Sequence, residues 1–121
     1  MDKEELRRRT KAFALRVLKL IRAQIKAMPR DPGAKAVAGQ LVRSGMSVGA
    51  NYRSSLRGRS RAEWLSKTNI CLEESDESEF WLELIIEDGM LPKSRVEPLL
   101  KEAGELTAIF AAAIKTGRDE H

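Results

Sequence analysis

Residues 47–64 read SVGANYRSSLRGRSRAEW, a stretch that joins helical spacing to glycines, an asparagine and four arginines. Val48, Asn51 and Ser55 continue a stripe that starts at Val37 and passes through Leu41 and Ser44. Steps of three and four residues place such positions on one face of a helix. Gly58 interrupts the pattern, and SRAE, Ser60 to Glu63, spells a capping box for a following helix. The stretch therefore reads as helix, tight turn, helix, and the rest of the chain is read outward from it.

Upstream, Leu6, Thr10, Phe13, Val17, Leu20, Gln24 and Met28 step in the same way, with Ile21 and Ile25 widening the stripe. MPRDPG stops that helix, because Pro29 cannot continue the ladder, and Asp31 before Pro32 is a cap followed by a first helical residue. Downstream, Leu65, Thr68, Leu72, Ser75, Glu79, Leu82 and Ile86 form a third stripe, which ends at EDGML, where Gly89 can take the left-handed conformation. The fourth stripe is Leu99, Ala103, Leu106, Phe110 and Ala113, opened either by a capping box at Ser94 and Glu97 or by Pro98 as first helical residue. Nothing alternates with the period of a strand. The expected helices are 3–28, 32–57, 61–88 and 95–116 in a single domain, 1–121. Helices of roughly 20–27 residues, about 30–40 Å long, on short connections fold back on one another, which predicts an all-α, antiparallel up-down four-helix bundle.

Ala38, Gly39, Gly45, Ser47, Gly49 and Ala50 leave little side-chain volume on the second helix. Each helical glycine costs up to about 1 kcal/mol against alanine, so several together predict the close approach of another helix. Antiparallel pairing across Gly58 sets Val48 opposite Asn69, Gly45 opposite Leu72 and Arg43 opposite Glu74, which nominates the third helix to fill the gaps. The same register turns Asn51 toward Ser66 and Thr68, and Arg43 toward the acids from Glu73 to Glu77. A buried polar seam of this kind adds little net stability but penalises wrong registers.

The net charge of +4 conceals a division. Residues 1–62 hold sixteen Lys and Arg against four Asp and Glu, and residues 63–121 hold six against fourteen. The basic half can attract phosphate, or it can be neutralised by the acidic half of the same chain or of a neighbour. The charged start, MDKEELRRRTKAF, lacks the apolar run of a secretory signal, and no apolar stretch approaches the roughly 18–20 residues of a membrane span. The expectation is a cytoplasmic protein without a membrane role. The single cysteine, Cys71, rules out an internal disulfide and reads as a buried, inert thiol.

Enzyme chemistry finds little support. Glu73, Glu77 and Glu83 on the third helix suggest a carboxylate metal site, but di-iron bundles also supply Glu-x-x-His pairs, and the only histidine is His121. Zinc spacings, a phosphate loop and nucleophile–base sets are missing. No catalytic residue, metal or cofactor is expected.

The segment SVGANYRSSLRGRSRAEWLSKTNICLEESDESEFWLELIIEDGML resembles the four-helix bundle family of proteins encoded in intervening sequences of 23S ribosomal RNA genes. The family signature falls on Gly49, Ala50, Asn51, Tyr52 and Arg53, on Ser60, on Glu73, Glu74, Asp76 and Glu77, and on Trp81, Leu82, Glu83 and Leu84, with Ile85 in place of leucine. The resemblance implies a bundle that assembles as a homopentameric ring and has no established enzymatic activity. It also implies kinship with the accessory variability determinant of diversity-generating retroelements, a basic pentamer that works with nucleic acid.

Two functional readings follow. In the first, the chain is a homo-oligomer that binds RNA or DNA through an arginine-rich edge: Arg53, Arg57, Arg59 and Arg61 at the turn, with Arg7, Arg8, Arg9 and Lys11. In the second, it is a scaffold for an unidentified protein partner, its basic half docked on the acidic half of a neighbouring subunit. The apolar surplus of the third helix, Phe80, Trp81, Leu84 and Ile85, is the expected subunit interface.

Overall fold

A computed structural model describes residues 1–24, 26 and 29–119, with the side chains of all but 118 and 119. Four helices follow one another: α1 Lys3–Gln24, α2 Pro32–Leu56, α3 Arg61–Glu87 and α4 Lys93–Asp119. No strand occurs among the described residues. The expected extension of the first helix through Ile25 to Met28 falls partly outside the described residues, as does His121.

Local chemistry sets the helix ends. Asp2 accepts from the Glu5 amide at 2.7 Å and so caps α1, while Glu4 and Glu5 place negative charge against the positive end of its dipole. Asp31 caps α2, accepting from the Ala34 amide at 2.9 Å, with Pro32 in the first turn. Ser60 caps α3 by accepting from the Glu63 amide at 3.1 Å, and the Glu63 carboxylate accepts from the Arg59 amide, one residue ahead of the usual capping-box donor. Gly89, at φ 78°, ends α3: its amide donates to the Ile86 carbonyl and that of Met90 to the Ile85 carbonyl, the paired bonds of a Schellman motif. The fourth helix differs from both sequence alternatives. It begins at Lys93 and carries Pro98 inside it, close enough to the N-terminus that only one early ladder bond is lost.

The helices pack α1 on α2, α2 on α3 and α3 on α4, with α1 and α4 closing the ring least closely. Contacts across each seam run in opposite directions along the two helices, as in an up-down bundle. Ser44 lies 2.9 Å from Ser78, and the Cys71 thiol reaches the Val48 carbonyl at 3.5 Å. Thr107 donates to Ser75 at 3.1 Å across α3 and α4. Phe13, Val17, Leu41, Val48, Leu82, Ile85, Leu106 and Phe110 fill the core.

Two features of the α2 seam depart from the sequence reading. A Cβ on Gly45 would stand 2.8 Å from a Val17 methyl carbon, and one on Gly49 would stand 3.3 Å from the Thr10 carbonyl oxygen. The helix received by the glycine face is therefore α1, not α3, since α3 already meets α2 along Ser44 and Val48, one step round the helix. Asn51 does not reach Ser66 or Thr68. Its amide donates to the carbonyl and hydroxyl of Ser47 on its own helix, both at 2.9 Å, and Tyr52 takes the buried position instead.

Candidate nucleic-acid interface

The contact of Gly49 with Thr10 fixes the α1–α2 register. One turn further along α2 corresponds to one turn back along α1, which sets Arg53 near the level of Arg7. Arg7 and Lys11 share a face of α1, and Arg53 and Arg57 share one of α2, being four residues apart. Together with Arg8 and with Arg59 in the turn after α2, these side chains are exposed, and none of the six forms an ion pair among the described residues.

Arg9 does not belong to this edge. Its guanidinium grips Glu102 with two bonds, at 2.8 and 2.6 Å, and Glu105 with a third at 2.8 Å, tying α1 to α4. These bonds raise its pKa further above its ordinary value. Arg61 also has structural work: its guanidinium donates to the Gly117 carbonyl at the end of α4, where a cation complements the helix dipole.

At the turn itself, a shallow cleft of about 360 Å³ is lined by Arg57, Arg59, Glu63, Lys67 and the serines Ser54 and Ser66. Three cations and two hydroxyls against one carboxylate make a surface on which a phosphate finds several donors, and Glu63 is already held by the Arg59 amide. Sequence reasoning missed Lys67, Ser54 and Ser66. The spacing held the signal, because Lys67 follows Glu63 by one helical turn and so returns to the turn-facing side of α3.

The acidic helix places its charges differently. Glu74 and Glu77 both receive Arg43, Glu74 at 2.9 Å, and the Trp81 indole donates to Glu77 at 3.1 Å. Glu73, Asp76 and Glu83 are exposed around Phe80, which is 51% exposed and packs edge-on against Trp81 with ring centroids 5.1 Å apart. Leu84 is half-buried. Ile85 is completely buried in the chain's own core, so its side chain has no surface to offer a second subunit. Burial pushes the Glu79 carboxyl above its usual range, and Asp76 and Glu83 add to the effect. Burial likewise pushes the Cys71 thiol up to about 12, leaving it unreactive. No group of His, Cys, Asp and Glu able to hold a metal ion occurs among the described residues, and no helix is long and apolar enough to cross a membrane.

The sequence pattern of the 23S rRNA-intervening sequence protein family matches residues 4–112. Among solved structures, the chain is similar to a protein of unknown function from the S23 ribosomal protein family of Bacteroides thetaiotaomicron. The two share 29% identity with a TM-score of 0.83, over 95% of this chain and 99% of that one. No curated protein matches.

Proposed function

The chain belongs to the 23S rRNA-intervening sequence protein family, and from that footing we propose that it is a non-enzymatic, self-associating cytoplasmic bundle that holds the phosphate backbone of RNA or DNA along its cationic edge. One observation carries the reading. In a basic half whose Arg9 and Arg43 are neutralised by acids of the same chain, Arg7, Arg8, Lys11, Arg53, Arg57 and Arg59 stay exposed and form no ion pair among the described residues. Copies in a homopentameric ring repeat this edge and raise the effective concentration of each weak contact. The recognition is of backbone charge, so sequence preference is small.

Binding measured across a salt series tests the proposal. Affinity falls as salt rises, with a slope near 0.9 for each duplex phosphate neutralised. Replacing Arg53, Arg57 and Arg59 together by glutamine lowers both affinity and slope while the bundle melts as before, because none of the three packs in the core. Failure of the wild type to retain either nucleic acid at low salt overturns the reading.

A second reading, a protein-interaction scaffold, draws its support from the Phe80 face. An exposed ring set among Glu73, Asp76 and Glu83 complements a basic surface that also exposes Leu15 and Met46 on α1 and α2. In that arrangement the cationic edge meets a neighbouring subunit instead of phosphate.

A further inference from the structure

All four helices leave a groove of about 970 Å³ at one end of the bundle. It opens where α1 begins and α4 ends, the pair that meets least closely. Small residues on α4 keep it open: Ala113 lines the wall, and Gly117 is so close to Trp64 that a Cβ there would stand 2.7 Å from the ring. Leu6, Leu56, Ile109 and Phe110 make the walls apolar. Water in such a groove gains few hydrogen bonds, and an apolar group displaces it favourably.

The polar groups of the groove are chiefly donors. Tyr52 is only 5% exposed, with its ring 5.9 Å from that of Phe110, yet its hydroxyl finds no hydrogen-bond partner among the described residues. Among the described residues no side-chain oxygen or nitrogen is both sealed from solvent and unpaired, so this hydroxyl opens into the groove that Tyr52 lines. A hydroxyl open to the groove on an otherwise buried ring is a donor that a ligand can meet there in place of water. The Trp64 indole N–H likewise forms no hydrogen bond among the described residues. Lys3 supplies positive charge at the groove, Arg61 lines it with its guanidinium already donating to the Gly117 carbonyl, and no Asp or Glu among the described residues lines it. Burial is the first cause that raises the Tyr52 pKa, and the charge of Asp2, whose carboxylate caps α1, adds to it.

Apolar walls, unpaired donors and a cationic rim select a ligand with an apolar body and an acceptor head of negative charge. We infer that this end groove binds a small amphipathic monocarboxylate, its chain against Leu56, Ile109 and Phe110 and its carboxylate accepting from the Tyr52 hydroxyl near Lys3. The site is independent of the phosphate edge.

The test is titration of the full-length protein with decanoate, decanol and decyltrimethylammonium, followed by the two indole N–H signals in NMR spectra. Trp64 lines the groove and Trp81 does not, so one is the reporter and the other the internal control. Decanoate is expected to shift the Trp64 signal saturably and leave Trp81 in place, with decanol binding about tenfold more weakly and decyltrimethylammonium not at all. Tyr52→Phe removes one hydrogen bond to a charged group and weakens decanoate about tenfold without changing decanol. Lys3→Gln, an exposed change that leaves the core untouched, weakens decanoate as well and carries the test if Tyr52→Phe fails to fold. Equal binding of decanoate and decanol, movement of both indoles together, or undiminished binding by Lys3→Gln overturns the inference. Binding that appears only after the oligomer is dissociated also overturns it, because the groove is then occupied by a second copy.

Discussion

Gly45 and Gly39 lie on the same helix and carry the same backbone cost, but only one has a reason to be glycine. A methyl group on Gly45 would collide with Val17, whereas one on Gly39 meets nothing within 4 Å. Gly39→Ala is therefore expected to stabilise the bundle by about 0.5–1 kcal/mol, the helix-propensity gain of alanine at an exposed position. Gly45→Ala is expected to destabilise it by about 1–2 kcal/mol, the overpacking cost exceeding the same gain. Urea midpoints of the two variants against wild type decide the matter. A stabilising Gly45→Ala shows that α1 can move away from α2 without loss.

At the scale of elements, the four seams are held by different means. Glycines press α1 against α2, hydroxyls and Arg43 align α2 with α3, and Arg9 bridges α1 and α4 to Glu102 and Glu105. The α3–α4 seam contains a misfit. The Glu79 carboxylate sits against Gly104, where a Cβ would stand 2.8 Å from its oxygen, and it forms no hydrogen bond or ion pair among the described residues. Its carboxyl pKa is raised in the folded chain, so between its unfolded and folded values the native state binds more protons than the unfolded one. The contribution of this group to stability accordingly falls as pH rises through that window, and the cost is fully present at neutral pH. Glu79→Gln is expected to raise the melting temperature near pH 7, with the advantage shrinking as the medium becomes acidic enough to protonate the wild-type side chain. Melting curves across that range check it, and a pH-independent gain would falsify the titration argument.

For the molecule as a whole, the division of charge along the chain becomes a division in space. Part of the basic half is cancelled internally, and the remainder stays exposed on α1, on α2 and at the turn into α3, while Glu73, Asp76 and Glu83 gather round Phe80 on the outside of α3. A surface that presents an exposed aromatic ring within one sign of charge, and exposed Leu15 and Met46 beside the other, favours head-to-tail self-association. Sedimentation is expected to give a species well above the 13.6 kDa of one chain. Phe80→Lys should shift the distribution toward monomer without loss of helicity, since the side chain is half outside the bundle. A monomer at all concentrations removes both the ring and the multiplication of weak contacts from the proposed function.

The sequence by itself determined the number of helices, their order and the caps that open α2 and α3 and close α3, because those are decided within a few residues, whereas the start of α4 at Lys93 was not read from it. Asp31 meets the amide of Ala34, Ser60 that of Glu63, and Gly89 closes α3 on Ile86, all inside one turn. It also placed Arg43 opposite Glu74, since one tight turn at Gly58 leaves little freedom of register. What the tertiary structure alone decided lies between partners far apart in the chain. The basic sign of Arg9 was legible, but its neutralisation by Glu102, 93 residues away, depends on α4 returning beside α1. A stripe stepping by threes and fours leaves a helix position open by one residue, so packing had to choose Tyr52 over Asn51 for the interior. The direction in which the bundle winds then gave the glycine face to α1, and the imperfect closure of α1 on α4 left the groove that no single helix encodes.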